Sequence, residues 1–93
     1  MTREIIVGIL EAEGAEGRAG ILALHEDREA TCFISTPGDV MHVGRIVRVE
    51  LKDRFLTLQT AKDERFSFAY EDVLGFKMIA SAHLKDRHAG FSR

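Results

Sequence analysis

Between Val43 and Ile79 the chain alternates apolar and polar residues in one short run after another, with a polar turn between runs. Val47, Val49 and Leu51 fall on one side of the first run, and Arg48, Glu50 and Lys52 on the other. Leu56 and Leu58 share a side in the next run. Phe66, Phe68 and Tyr70 follow, then Leu74, Phe76 and Met78. Side chains repeat every two residues only in an extended strand; a helix would scatter these positions around its surface. The pattern therefore predicts a half-buried antiparallel meander that curls into a small barrel or strongly curved sheet. Lys52-Asp53, Ala61–Glu64 and Glu71-Asp72 supply the turns between its strands.

The rest of the chain extends this reading. Thr2 to Ala12 reads as a first strand with Ile5, Val7 and Ile9 on one face and Ile6 and Leu10 on the other. Apolar residues on both faces call for cover on both sides, so Ile6 and Leu10 are expected at an oligomer interface. Glu13 to Gly20 holds three glycines, which cost a helix about 1 kcal/mol each relative to alanine, so a loop is expected. Ile21–Leu24 and Ala30–Thr36 read as strands joined by the fully polar His25–Glu29; the β-favouring Thr31-Cys32-Phe33-Ile34 argues against one helix from Arg18 to Glu29. Thr36-Pro37-Gly38-Asp39 has the type II turn signature, with Gly38 at the position that needs φ > 0. Gly44, inside the long strand Val40–Leu51, marks an expected bulge or bend. The sum is an all-β domain of about seven strands over residues 1–80. A C-terminal tail, 81–93, follows. Its Ala80–His88 stretch suits about two helical turns, and Leu84 and Phe91 are its apolar anchors for an interface. The expected core holds Val7, Ile9, Leu22, Leu24, Ile34, Val47, Val49, Leu51, Leu56, Leu58, Phe66, Phe68, Leu74, Phe76 and Met78.

Composition bounds the function. Ninety-three residues, 45% of them apolar, make one globular domain. No apolar run approaches the roughly 20 residues needed to span a bilayer, and nothing resembles a leader peptide. Cys32 is the single cysteine, so no disulfide forms within the chain, and a cytoplasmic location is expected. The net charge of −2 is uneven. Residues 1–43 hold three basic and eight acidic residues, whereas residues 44–93 hold ten basic and seven acidic ones. Opposed charged regions suit self-association, but interleaving of the halves on a solvated surface is the simpler explanation and is preferred.

Signals for catalysis are weak. His25, His42, His83 and His88 lack the short spacings of metal ligands, and Cys32 stands alone in a strand. No metal, cofactor or catalytic residue is therefore expected. The spacing Gly14-x-x-Gly17-x-x-Gly20 resembles a phosphate loop only superficially. A strand, not a helix N-terminus, follows it, and Glu11, Glu13 and Glu16 would repel phosphate. Arg45, Arg48, Arg54, Arg65 and Lys77, with Phe55 off the Leu56/Leu58 face, are the candidate nucleic-acid contacts, because cations beside an aromatic ring hold single strands. Six acids in the same region weigh against a nucleic-acid surface.

Val47-Arg48-Val49-Glu50-Leu51-Lys52-Asp53 resembles the paired strand and turn of Sm-like small barrels, an SH3-like architecture. Val73-Leu74-Gly75 followed by Ile79 is similar to that family's second, glycine-containing motif. The resemblance implies a small barrel and a tendency to form oligomers, as dimers or rings. It implies no binding residues. Phe55–Thr60 lacks the family's RNA-contacting Asp and Asn, and Leu74 stands where arginine is common. The expected function is a small non-catalytic interaction module that self-associates or takes a protein partner. A single-stranded RNA-binding barrel is the alternative.

Overall fold

The computed structural model describes residues 1–80. The elements run α1 (Arg3–Ala12), β1 (Glu16–Arg18), β2 (Ile21–Ala23), β3 (Arg28–Thr36), β4 (Asp39–Leu51), β5 (Phe55–Thr60), β6 (Arg65–Ala69), a 3-10 turn (Tyr70–Asp72) and β7 (Val73–Ala80). All strand pairings are antiparallel, and the seven strands form one curled sheet, a half-barrel. β4 to β6 make the first part of the expected meander and β3 precedes them, but β7, expected to follow on from β6, returns instead to pair with β3.

The curl originates in β4. Against β3, Ala30 pairs with Ile46 and Cys32 with Val43, so β4 holds one residue more than its partner around Gly44-Arg45. Against β5, Ile46 pairs with Thr60 and Arg48 with Gln59, which leaves Val47 as a second extra residue. Each bulge bends the strand and resets its alternation. Val43, Ile46 and Val49, spaced by three rather than two, all point into the core. The expected bend at Gly44 is present, with the left-handed backbone on Arg45 at φ 57°.

Residues 3–12 form a helix, not the expected strand. Their β-branched composition favours extended backbone, but both ends are capped as a helix. Thr2 Oγ1 accepts from the Ile5 amide at 3.2 Å, and Glu4 sits in the first turn, where a negative charge suits the helix dipole. At the other end Gly14 takes φ +95°. The Ala15 amide returns to the Leu10 carbonyl at 2.9 Å and the Gly14 amide to that of Glu11 at 3.0 Å, closing a Schellman motif. Buried Ala15 supplies the apolar contact that accompanies such a stop. Ile6 and Leu10, four apart, stack on one face and fill the concave side of the sheet, each fully buried. Burial of two such side chains contributes about 3–6 kcal/mol before entropy. They belong to the chain's own core and are not free to form an oligomer interface.

The core joins Ile6 and Leu10 to Leu22, Leu24, Ala30, Cys32, Ile34, Val43, Ile46, Val49, Leu51, Leu56, Leu58 and Val73. Val7, Phe68, Phe76 and Met78 pack against it partly exposed, and Val47 is half-buried at its bulge. Three expected core residues lie outside. Ile9 is half-buried on α1, because the helical period turns it away from the face of Ile6 and Leu10. Leu74, 52% exposed, is the extra residue where β7 slips against β3 between Val73 and Gly75. Phe66, 36% exposed, faces inward opposite Leu58 but sits on the last strand of the sheet, where no further strand covers it among the described residues. The N-terminus is tied to the turn before β7: the Met1 nitrogen donates to the carbonyls of Tyr70 at 2.8 Å and Val73 at 3.0 Å.

The glycine-rich segment 13–20 is not wholly loop, because β1 and β2 form a short hairpin within and after it. Two glycines there and at the β3–β4 turn differ in what they tolerate. Gly38 has φ +78°, as the turn signature predicts, and open space around it. Gly38→Val should therefore destabilise through backbone strain alone, by about 1–2 kcal/mol. A Cβ at Gly17 would lie 1.7 Å from the Ile21 carbonyl oxygen, so Gly17→Ala must push β1 off β2. Chemical denaturation should show a lowered midpoint for Gly38→Val with an unchanged slope. Hydrogen exchange of Gly17→Ala should show the β1–β2 hairpin opened while β3–β5 stay protected.

Candidate functional site

The sheet's convex face collects the polar half of each alternating run. Ala23, Arg48, Gln59 and Arg65 form one row across β2, β4, β5 and β6, and Ile21, Glu50, Thr57 and Ser67 form the next. Arg65 Nη1 lies 2.9 Å from Glu50 Oε2, and Lys52 Nζ 3.9 Å from Glu50 Oε1. The hydroxyls of Thr57 and Ser67 are 2.8 Å apart in the same row, and Thr57 is buried although it faces outward. The Arg65 guanidinium beside Glu50 holds that carboxyl below its ordinary range, and Glu50 in turn raises Arg65. This is an ion pair that spans β5, so Arg65 is already committed within the chain.

The six candidate contacts do not assemble on one surface. Arg48 and Arg65 share the convex row. Arg45 turns to Glu29, with Nε 3.7 Å from Oε2. Glu29 is 4% exposed, and its Oε1 has no hydrogen-bond partner among the described residues. Lys77 pairs with Thr31 on the far side of β3. Only Arg54 and Phe55 stand together, in the β4–β5 turn and at the start of β5. They line an open groove with Arg3, Leu51, Lys52 and Asp53. The groove continues past the first turn of α1 to Tyr70 and Glu71. The Tyr70 hydroxyl donates to the Lys52 carbonyl and so fixes the wall between the two parts. Burial pushes the Tyr70 phenol upward, and Arg3 beside it opposes the shift. Phe55 is 42% exposed there. Arg3 and Tyr70 come to this groove through the tertiary fold alone; no local pattern in the sequence marks them.

The groups that carry chemistry elsewhere stand apart. Cys32 lies on the concave face, fully buried, and burial pushes its thiol up to about 12. It is therefore a protonated core residue at neutral pH, not a thiolate nucleophile. His25 Nδ1 is 3.1 Å from Asp27 Oδ1 on an exposed loop, and His42 packs edge-on against Phe33 across the convex face. The described residues hold no cluster of three or more His, Cys, Asp or Glu side chains placed for a metal ion. The three spaced glycines cradle nothing: Gly14 ends α1, Gly17 lies in β1 and Gly20 in the turn after it. No helix among the described residues is long and apolar enough to cross a membrane. Leu84 and Phe91, the other expected interface residues, lie outside the described residues, as do His83 and His88. No family model, curated protein or solved structure matches this chain.

Two measurements check this arrangement. Glu50 titrates lower in the folded chain than in the unfolded one. Its contribution is therefore present above the ordinary carboxylate range and lost as pH falls through the lowered value. Glu50→Gln should remove that part of the acid-side loss of stability, visible as a flatter pH dependence of the urea midpoint below about pH 4.5. A thiol reagent should label Cys32 at the rate of global opening, so labelling should accelerate with denaturant as unfolding does.

Proposed function

We propose that the chain is a small non-catalytic interaction module that self-associates through the open edges of its half-barrel. One observation carries this reading. Among the described residues β6 pairs only with β5, and β7 only with β3, so each presents an unpaired edge. Apolar side chains follow both edges on the concave side: Phe66 and Phe68 on β6, Phe76 and Met78 on β7, all partly exposed. An edge strand backed by half-exposed aromatic residues is a template for another strand. The Sm-like resemblance of residues 47–79 agrees with a small barrel that completes itself in an assembly. A cytoplasmic location belongs to the same proposal.

Single-stranded nucleic acid is the second reading, favoured by the Phe55 ring beside Arg54 and Arg3, neither of which has a carboxylate within 4.0 Å among the described residues. Aromatic stacking with nearby guanidinium groups is how such strands are held. Asp53 and Glu71 in the same groove oppose phosphate, which places this reading second.

Light scattering separates the two. The expected result is a mass at a multiple of the 10.4 kDa chain, reduced toward the single chain by Phe66→Lys. A monomer at micromolar concentration refutes self-association. Binding of a random oligonucleotide that weakens steeply with salt and is lost in Arg54→Ala/Phe55→Ala would promote the second reading.

A further inference from the structure

Helix α1 is apolar on more than the face it buries. Seen down its axis, Gly8 lies opposite Ile6 and Leu10, with Ile5, Ile9 and Ala12 to one side of it and Glu4 and Glu11 to the other. Ile5 is 52% exposed, and a Cβ at Gly8 would meet no atom within 4 Å. Glu4 and Glu11 are exposed, and neither has a cation within 4.0 Å among the described residues. A helix whose apolar residues extend past the stripe it buries leaves Ile5 and part of Ile9 without cover. The cover must be apolar opposite Ile5 and Ile9 and basic opposite Glu4 and Glu11.

The chain itself supplies such a segment, and it starts in the right place. Ala80, the last residue of β7, pairs with Arg28. Arg28 Nη1 lies 3.6 Å from Oε1 of Glu13, the residue that caps the C-terminal end of α1. The described sheet therefore ends, at Ala80, beside a strand residue that reaches that end of the helix. Residues 81–93 carry Lys85, Arg87 and Arg93 against Asp86, with Leu84 and Phe91 as apolar residues. The ten residues of α1 are about 15 Å long, and a segment of this length reaches that far in any conformation from extended to helical. Read away from Ala80, Leu84 comes first, then the basic pair, then Phe91. Met from its C-terminal end the helix presents Glu11 and Ile9 first and Ile5 and Glu4 last, which sets the Leu84-Lys85 pair against the first two and Phe91 with Arg93 against the last two.

We infer that residues 81–93 dock in cis on the outer face of α1, with Leu84 and Phe91 against Ile9 and Ile5 and the basic residues beside Glu11 and Glu4. The tether favours the chain's own segment over a neighbour's. A short linker holds it at an effective concentration of about millimolar, far above the protein concentration in a typical sample. This inference does not depend on self-association through β6 and β7, which is read from mass.

The test uses the full chain with carbon-13-labelled isoleucine methyl groups. Contacts between the Ile5 and Ile9 methyls and the Leu84 and Phe91 side chains are expected by nuclear Overhauser measurement. They should persist when labelled and unlabelled chains are mixed under a filter that passes only contacts within one chain. In Leu84→Ser/Phe91→Ser the Ile5 and Ile9 methyl shifts should move while that of buried Ile6 stays, which shows the core intact. Glu11→Lys should reduce the docked population about two- to fivefold, the range of an exposed ion pair, and Glu11→Lys with Lys85→Glu should restore it. Ile5 and Ile9 methyls indifferent to the double serine variant would overturn the inference. So would contacts detected only between chains, whatever the mass.

Discussion

The double bulge in β4 is the constraint on which the rest of the structure depends. One strand pairs with β2, β3 and β5, and a straight strand could not direct its ladder to all of them while keeping one concave face. The bend at Gly44-Arg45 sends the first half of β4 with β3, and the slip at Val47 realigns the second half with β5. The left-handed conformation of Arg45 costs about 1–2 kcal/mol in a non-glycine residue. Local bonds hold it: the Ala61 amide donates to the Arg45 carbonyl at 2.8 Å, and the Arg45 side chain faces the buried carboxylate of Glu29. With the bend in place the concave face is deep enough to take Ile6 and Leu10. The helix is thus a consequence of the curl as much as of its own caps.

Most of the sheet was legible because alternation reports a strand and its faces directly. The β4–β6 meander, the Gly38 turn and the bend near Gly44 all follow from it. What failed did so for identifiable reasons. In residues 3–12, Ile5, Ile6, Val7 and Ile9 favour extended backbone and concealed a helix. Thr2 three residues before Ile5, and Gly14 just past Ala12, were its legible stops. The two-faced apolar pattern of that segment did imply a second cover, but period 3.6 assigns Ile6 and Leu10 to the core and leaves Ile5 outside. Leu74 left the core because a bulge resets parity, which no alternating pattern can announce. Ile46 entered it for the same reason: an alternation that counts Val47 and Val49 inward places Ile46 outward.

The candidate site was less legible than the fold. Alternation states which face a residue occupies but not which strands are neighbours or where the sheet curves. Arg48 and Arg65 were legible as partners of one face. That Arg65 is held by Glu50, or Arg45 by Glu29, follows from register and from a bulge. The charge asymmetry between the chain's halves also dissolves in the fold. Arg45 from the basic half meets Glu29 from the acidic half, and Arg28 from the acidic half meets Glu13 from the same half.

An open half-barrel with aromatic residues along its edges is an aggregation hazard unless something limits what can pair with it. Here charge does so. β6 begins with Arg65, directly after Glu64, and Lys77 stands on the outer side of β7. Any added strand must therefore be apolar toward Phe66 and Phe68 and polar on its other face, in a register that leaves the Glu50–Arg65 pair intact. A flat, wholly apolar strand meets the first demand and fails the second. The convex ion pair is then more than a clasp across β5. In the assembly proposed above, it would restrict which strands can join β6 and so make that edge selective.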